Sequence, residues 1–433
     1  MNTAIVKIWG TIVGAVAWND ELGYSTFEYD SKFKDKGWDL APFQMPLGSQ
    51  KRIHSFPALR KKEEPSLDTF KGLPGLLADV LPDRYGNELI NLWLAQQGRP
   101  MDSMNPIEML CFMGTRGMGA LEFEPNTLSE NKSAFSIEMD SLVNVAQKIL
   151  NKKQAFVTNL STIEEKAILE ILTIGTSAGG ARPKAVIAYN EKTGEVKSGQ
   201  TNAPNGFEHW LIKLDGVSDV QLGASTGFGR VEMAYYNMAI ACGIKMMPSR
   251  LLEENGRAHF MTKRFDREGP SVKHHIQTFC ALKHFDFNRI TSFSYEQLFQ
   301  TLRELKLPYS EAEQLFRRMV FNVLAQNCDD HTKNFAFRLQ KDSEWELAPA
   351  YDICHAYQPN HRWVSQHALS INGKRSGITK EDLLHIGSTI KNKKAAQTIE
   401  EISQTINQWG NFADQVQVSS KLRDSIASSL IQL

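Results

Sequence analysis

Asp329, Asn334 and Asp352 are the side chains of this sequence whose types and spacing best suit a shared chemistry. Phosphoryl transfer needs a carboxylate to position or deprotonate an attacking hydroxyl, and oxygen ligands to hold Mg²⁺ against phosphates. In protein kinases the catalytic Asp stands five residues before a metal-binding Asn, and a second metal-binding Asp follows. Here Asn334 lies five positions after Asp329, and Asp352 lies 18 positions after Asn334. Phe335-Ala336-Phe337-Arg338-Leu339 reads as a strand and Lys341-Asp342-Ser343 as a polar turn, so a hairpin would return Asp352 beside Asn334. The same Asp and Asn residues also suit a capped turn after a helix, and the spacing alone leaves both readings open.

The phosphates would need their own partners. A small-residue loop, Gly175-Thr176-Ser177-Ala178-Gly179-Gly180, would let backbone N–H groups approach phosphate oxygens without side-chain clash. It is no Walker A loop, and a plain tight turn has the same composition. Lys213 interrupts an apolar strand, where a buried ammonium needs a partner. Glu232, on the next helical stretch, is the candidate; alternatively Lys213 points to solvent from a half-exposed strand.

The elements that must position these residues change character along the chain. Residues up to about 60 are rich in Gly, aromatic and β-branched types and read as small β structure. Near its start, Ile8-Trp9-Gly10-Thr11-Ile12-Val13-Gly14-Ala15-Val16-Ala17 has a signal-peptide flavour, but two strands joined at Gly10-Thr11 account for it better. Residues 60–65 form a charged, exposed connection, 67–115 look helical, and the polar stretch 125–155 reads as a boundary. We therefore expect an N-terminal domain over 1–150 and a second domain over 151–433. In the latter, a β-rich lobe runs to about 268 and a helical lobe follows. A capping box at Ser161-Thr162-Ile163-Glu164 opens a helix, and strands follow at 185–188 and 210–214. Next come a helix near 230–242 and a hairpin at Asn255-Gly256. Leu315, Phe316, Met319, Val320, Val323 and Leu324 form a helical stripe that delivers the chain into Asp329. The fold class is α+β, with a two-lobed, protein-kinase-like (phosphoinositide-kinase-like) core behind the N-terminal β-rich and helical subdomain.

Bulk composition narrows the setting. Lys plus Arg and Asp plus Glu both number 49, so no global charge draws the 433-residue chain to nucleic acid or membrane. The five cysteines are scattered without a CxxC, which suits a reducing, cytoplasmic compartment and excludes a disulfide framework or zinc ribbon. No apolar run reaches the roughly 20 residues of a membrane span.

Several segments together resemble the HipA family of toxins. They are Gly175 to Lys184, Thr262-Lys263-Arg264-Phe265-Asp266-Arg267, Asn327 to Phe335 and Leu347 to Ile353, with Phe70 to Pro74 and Leu81-Pro82-Asp83-Arg84 in the N-terminal part. The resemblance implies an ATP- and Mg²⁺-dependent serine/threonine protein kinase that is the toxin of a type II toxin–antitoxin pair. It implies Asp329 as catalytic base and Asn334 and Asp352 as Mg²⁺ ligands. Lys213 would contact ATP phosphates, along with the loop Ser177, Ala178, Gly179 and Gly180. His331 and Tyr351 would line the nucleotide site, and Lys263, Arg264 and Phe265 would lie beside the adenine. Ser177 matches a loop serine whose autophosphorylation inactivates such kinases, since a phosphate would repel those of ATP. Thr176 adjoins it, and Gly179-Gly180-Ala181-Arg182-Pro183-Lys184 departs from the family's best-known loop. The implied partners are a HipB-like helix-turn-helix antitoxin, operator DNA through the complex, and an aminoacyl-tRNA synthetase as substrate, glutamyl-tRNA synthetase being the best-known target.

Two other readings fit the same residues. One is a small-molecule kinase of the aminoglycoside-phosphotransferase kind, and the other a non-catalytic corepressor. A metal-dependent hydrolase on Asp329, Asp330 and His331 lacks further His ligands at suitable spacing.

Overall fold

The computed structural model describes residues 1–61, 63–64, 67–128, 136–151, 175, 182–199, 202–219, 223–224 and 226–433. The capping box at 161–164 and the loop residues Thr176, Ser177, Ala178, Gly179 and Gly180 lie outside them.

The N-terminal apolar run is a hairpin. β1 (Thr3–Ile8) and β2 (Thr11–Asn19) pair across Trp9 and Gly10, both at positive φ (49° and 76°), as a two-residue turn between twisted strands requires. With β3 (Tyr24–Tyr29), β4 (Ile53–Ser55) and β5 (Leu121–Glu124) they form a sheet in the order β4-β3-β2-β1-β5. Period-2 alternation turns Ala4, Val6 and Ile8 into the core. Helices Gly75–Ala78, Arg84–Gln96 and Pro106–Met113 fill the span expected to be helical. Asp83 caps the second, and Asn105 with Glu108 forms a capping box on the third.

Residues 125–155 are not merely a boundary. Helix Met139–Asn151 occupies much of them, and Met139, Leu142, Val143 and Ala146 give it an apolar i, i+3, i+4, i+7 face. That face shares one core with Tyr85, Leu89 and Ile90 of helix Arg84–Gln96 and with strand residues Ala185, Ile187, Trp210 and Ile212. Packing is therefore continuous across residue 150.

Those strands belong to a second antiparallel sheet. β6 (Lys184–Tyr189), β7 (Val196–Ser198), β8 (Glu208–Lys213), β9 (Ser249–Glu254) and β10 (Arg257–Lys263) run in the order β9-β10-β8-β6-β7. Asn255 and Gly256, both at positive φ, turn the β9–β10 hairpin as the sequence predicts. Helix Phe228–Ala241 lies so close to β10 that a Cβ on Gly229 would sit 1.9 Å from the Ala258 carbonyl oxygen. Only glycine permits this approach.

The helical lobe is built around helix Tyr309–Leu324, whose predicted stripe is fully buried. Each of those large side chains contributes roughly 1.5–3 kcal/mol relative to exposure. The hairpin of Ala336–Leu339 with Trp345–Leu347 follows, and His275–Thr278 pairs beside it. The whole is a mixed α+β, two-lobed kinase-like fold with the N-terminal domain docked on it. Trp9 Nε1 donates to the Lys273 carbonyl (2.7 Å) and Trp38 Nε1 to Asp342 (2.8 Å). No helix among the described residues is long and apolar enough to cross a membrane.

Candidate active site

Helix Tyr309–Leu324 ends at Ala325, and Gln326 then takes a left-handed φ of 54° that turns the chain sharply. The turn is held from below by a buried chain of hydrogen bonds. Asn327 Nδ2 donates to Asn322 Oδ1 (3.0 Å), Asn322 Nδ2 to the Tyr295 hydroxyl (3.0 Å), and that hydroxyl to Asp330 Oδ2 (2.8 Å). Asp330 also accepts from His367 Nδ1 (2.9 Å) and the Ala368 backbone N–H (2.7 Å). Burial alone would keep His367 neutral, but the Asp330 carboxylate outweighs it and raises the imidazole to about 10. Asp330 is thus the buried anchor of the turn, and its neighbour Asp329 faces the cleft.

Asp329 keeps 48% of its side chain exposed. Surrounding protein raises its carboxyl above the usual range; His331 opposes this, and Asp352 and Asp330 add to it. His331 Nε2 lies 3.7 Å from Asp329 Oδ1, with its ring against Phe287. The Asn334 amide donates to the Asp329 backbone carbonyl at 2.6 Å. A base of raised pKa beside an imidazole is fitted to hold a hydroxyl proton.

Asp352 arrives on the return from the hairpin with φ 52°, a left-handed conformation that Asp tolerates better than most residues. Lys213 Nζ donates to Asp352 Oδ1 (2.5 Å) and to Glu232 Oε1. Burial pushes Asp352 up, but Lys213 and then Lys184 outweigh it and hold the carboxyl down at about 2. Burial raises Glu232, with Lys213 pulling against it. The strand position of Lys213 is therefore a paired one, not a solvent-facing one. Lys184, opposite Lys213 in the β6–β8 register and buried, brings a second ammonium to the same corner. Asp215, two residues past Lys213, accepts from Gly227 N–H (2.9 Å) at the start of helix Phe228–Ala241, which fixes Glu232 relative to the strand.

The three residues expected beside the adenine divide. Phe265 stacks on Tyr351 (5.6 Å between centroids, 29° between planes), and the Tyr351 hydroxyl donates to the Lys333 carbonyl (2.6 Å), joining the segment after β10 to the turn that carries Asp329. Lys263 pairs with Glu208 on the neighbouring strand. The Arg264 side chain turns inward to Asp266, which also takes Arg267 and the Gly119 N–H (2.8 Å). The Arg264 side chain is thus committed to this buried pairing, and its backbone N–H donates to the His209 carbonyl (2.9 Å). Sequence reading did not single out His367, considered Asp330 only as a metal ligand, and gave Lys184 no role of its own; Asn322, an amide within the apolar end of helix Tyr309–Leu324, was a signal for the buried hydrogen-bond chain.

No cluster of three or more His, Cys, Asp or Glu suited to a metal occurs among the described residues. Mg²⁺ does not need one, since it takes one or two protein oxygens and completes its shell with water and phosphate. An ionised Asp352 carboxylate, and an Asn334 amide whose nitrogen is engaged and whose oxygen is thereby left for a cation, fit that requirement.

Residues 4–124 match the model of the HipA N-terminal domain, and residues 176–409 match that of the HipA-like C-terminal domain. The chain belongs to the HipA family. The backbone agrees: a chain of the Shewanella oneidensis toxin–antitoxin complex of HipA, HipB and operator DNA superposes with a TM-score of 0.67. That match covers 98% of this chain and 94% of the other at 15% identity, so it speaks for the HipA fold alone. The candidate kinase Y4mE of Sinorhizobium fredii is 30% identical over 131 residues, 28% of this chain and 31% of that protein. The match thus spans less than a third of the relative's length.

Proposed function

We propose that this HipA-family chain is a toxin-type serine/threonine protein kinase that moves the γ-phosphoryl group of ATP, with Mg²⁺, to a protein hydroxyl. The carrying observation is Lys213 shared between Glu232 and Asp352. A lysine oriented by a helix carboxylate and set beside a metal-binding aspartate is the arrangement that kinases need for phosphate alignment. Asp329 accepts the proton of the attacking hydroxyl. Asn334 and Asp352 hold Mg²⁺, which neutralises charge on the phosphates. Lys213 and the loop Ser177-Ala178-Gly179-Gly180 hold the phosphates; Phe265, Tyr351 and the backbone of Lys263 and Arg264 border the adenine, with His331 next to the base. Autophosphorylation of Ser177 would switch the enzyme off. A HipB-like antitoxin restrains it and carries the pair to operator DNA in the cytoplasm, and an aminoacyl-tRNA synthetase is the target class.

Incubation with labelled ATP and Mg²⁺, followed by phosphosite mapping, tests the reading. Label on Ser177 or Thr176 that vanishes in Asp329→Ala supports it. Growth arrest that survives Asp329→Ala, with no labelling at all, points instead to a corepressor.

A further inference from the structure

The buried hydrogen-bond chain beneath the catalytic turn ends on a thiol. His367 Nδ1 is tied to Asp330 Oδ2 at 2.9 Å, and His367 Nε2 lies 3.9 Å from Cys328 Sγ. A thiol, an imidazole and a carboxylate thus stand in line, the order in which a nucleophile meets a base that a third group orients. The line is held from both ends. Asp330 also accepts from the Tyr295 hydroxyl (2.8 Å) and the Ala368 N–H (2.7 Å). The His367 backbone N–H donates to the Arg375 carbonyl (2.9 Å), and the Cys328 N–H to the Ala356 carbonyl (3.1 Å). Asp330 raises His367 to about 10, so the imidazole is cationic at neutral pH and presents an N–H to the sulfur.

The pair is reached through a cavity. Cys328 and His367 both line a space of about 550 Å³, whose other walls are the segment after Asp352 and helix Ser420–Ala427 with the residues that follow it. Cys328 itself is 1% exposed, so only a small, slim reagent can meet its sulfur. The surrounding charges pull in both directions. His367 and Arg375, whose guanidinium is tied to the Ala368 and Phe293 carbonyls, favour an anion. The Asp330 carboxylate opposes them from behind the imidazole, but the sulfur meets the imidazolium first, and Coulomb attraction falls with distance. Asp329, on the next residue, faces the cleft. In the cavity wall His355 is held down at about 4 by burial and is neutral. Burial also keeps the Tyr235 and Tyr295 phenols neutral. Lys374 is paired with Asp382, and neither lines the cavity. The thiols of Cys111, Cys242, Cys280 and Cys354, by contrast, are pushed up to about 11 or 12 by burial.

We propose that Cys328 is a reactive thiol that takes a small disulfide from this cavity and forms a reversible mixed disulfide. The Cys328 thiolate, its proton released to solvent, attacks one sulfur of the reagent. A bond forms between Sγ and that sulfur, the reagent's own S–S bond breaks, and the leaving thiolate carries off the electron pair and takes a proton from water. The small disulfide is the oxidant, and excess small thiol reverses the step. This chemistry does not depend on the kinase reading.

The test exposes the full chain to hydroxyethyl disulfide and maps the modified cysteines by mass spectrometry over time. We expect Cys328 to react about tenfold faster than any other cysteine, and mercaptoethanol to remove the adduct. His367→Gln should slow Cys328 by about tenfold, with thermal melting to show that the variant is folded in the assay. The wild-type pH profile reads the same point without a substitution. Between about pH 8 and about pH 6 an unpaired thiol loses about tenfold in rate per unit, and Cys328 should lose less than about tenfold in all. Modification of Cys328 only in urea, a rate no faster than that of Cys354, or reactivity that a folded His367→Gln leaves unchanged overturns the proposal. So does the pH profile of an unpaired thiol.

Discussion

Asn334 donates its amide to the backbone carbonyl of Asp329 at 2.6 Å, so the residue proposed as a metal ligand also closes the turn that carries the proposed base. In the proposed mechanism this one side chain would couple metal position to base position. Asn334→Ala should lower phosphoryl transfer by about 10²-fold or more while the protein stays folded. A Mg²⁺ titration of the rate separates the two roles: loss that extra Mg²⁺ only partly restores is expected, and full restoration would leave the turn-closing role without support.

Lys213 meets Glu232 and Asp352 at once. Lys213→Met should reduce transfer by roughly 10²–10³-fold, the size of losing a fixed donor to developing charge. Glu232→Gln should do less, because it only frees the lysine. Calorimetric ATP titrations beside rate measurements check this, and unchanged ATP binding with unchanged rate in Lys213→Met would exclude the assignment.

The pH profile should be set by Asp329. Asp352 is held at about 2 and stays ionised through the working range. Asp329 titrates above the ordinary 3.8 of an aspartate. The acid limb of kcat/KM should therefore fall at a pH above 3.8, with activity rising as pH climbs through it. Asp329→Asn should remove that limb along with most of the activity.

The Asp330–His367 pair should make stability depend on alkaline pH. The folded pKa of His367, about 10, lies above its ordinary 6.5, so its contribution is complete below pH 6.5 and is lost as pH rises toward 10. The melting-temperature gap between the wild type and His367→Gln should be widest below pH 6.5 and shrink toward pH 10. A gap that is constant over this range would show that the ion pair is not its source.

Asp266 sits at 0% exposure between Arg264 and Arg267 and bonds the Gly119 N–H of the N-terminal domain. Asp266→Asn leaves two buried guanidinium groups short of their counter-ion and should cost about 3–5 kcal/mol. Urea unfolding reads the loss directly.

Local patterns made much of this molecule legible. The hairpin at Asn255-Gly256 follows from residues that accept positive φ, and the buried stripe of helix Tyr309–Leu324 follows from its spacing. The first hairpin, expected at Gly10-Thr11, turns one residue earlier, at Trp9-Gly10, with Trp9 at a positive φ that its residue type does not announce. Helix Met139–Asn151 was harder to read because its short apolar face is surrounded by polar residues. Arg264 was read as a nucleotide neighbour, yet its side chain belongs to a buried ion pair, since sequence gives a strand's end but not which way a side chain turns there.

The sequence by itself determined the chemistry available: Asp329, Asn334 and Asp352 at kinase spacing, and Lys213 in an apolar strand. These signals are local, carried by residue type and by separations of a few positions. The tertiary structure alone decided which of two adjacent aspartates faces the cleft and which is buried under His367, 37 positions away. It also decided that Lys213 meets Asp352 across 139 positions. Such pairings depend on how the sheet and the helical lobe pack, and charge in a buried corner acts over distance in space, not along the chain.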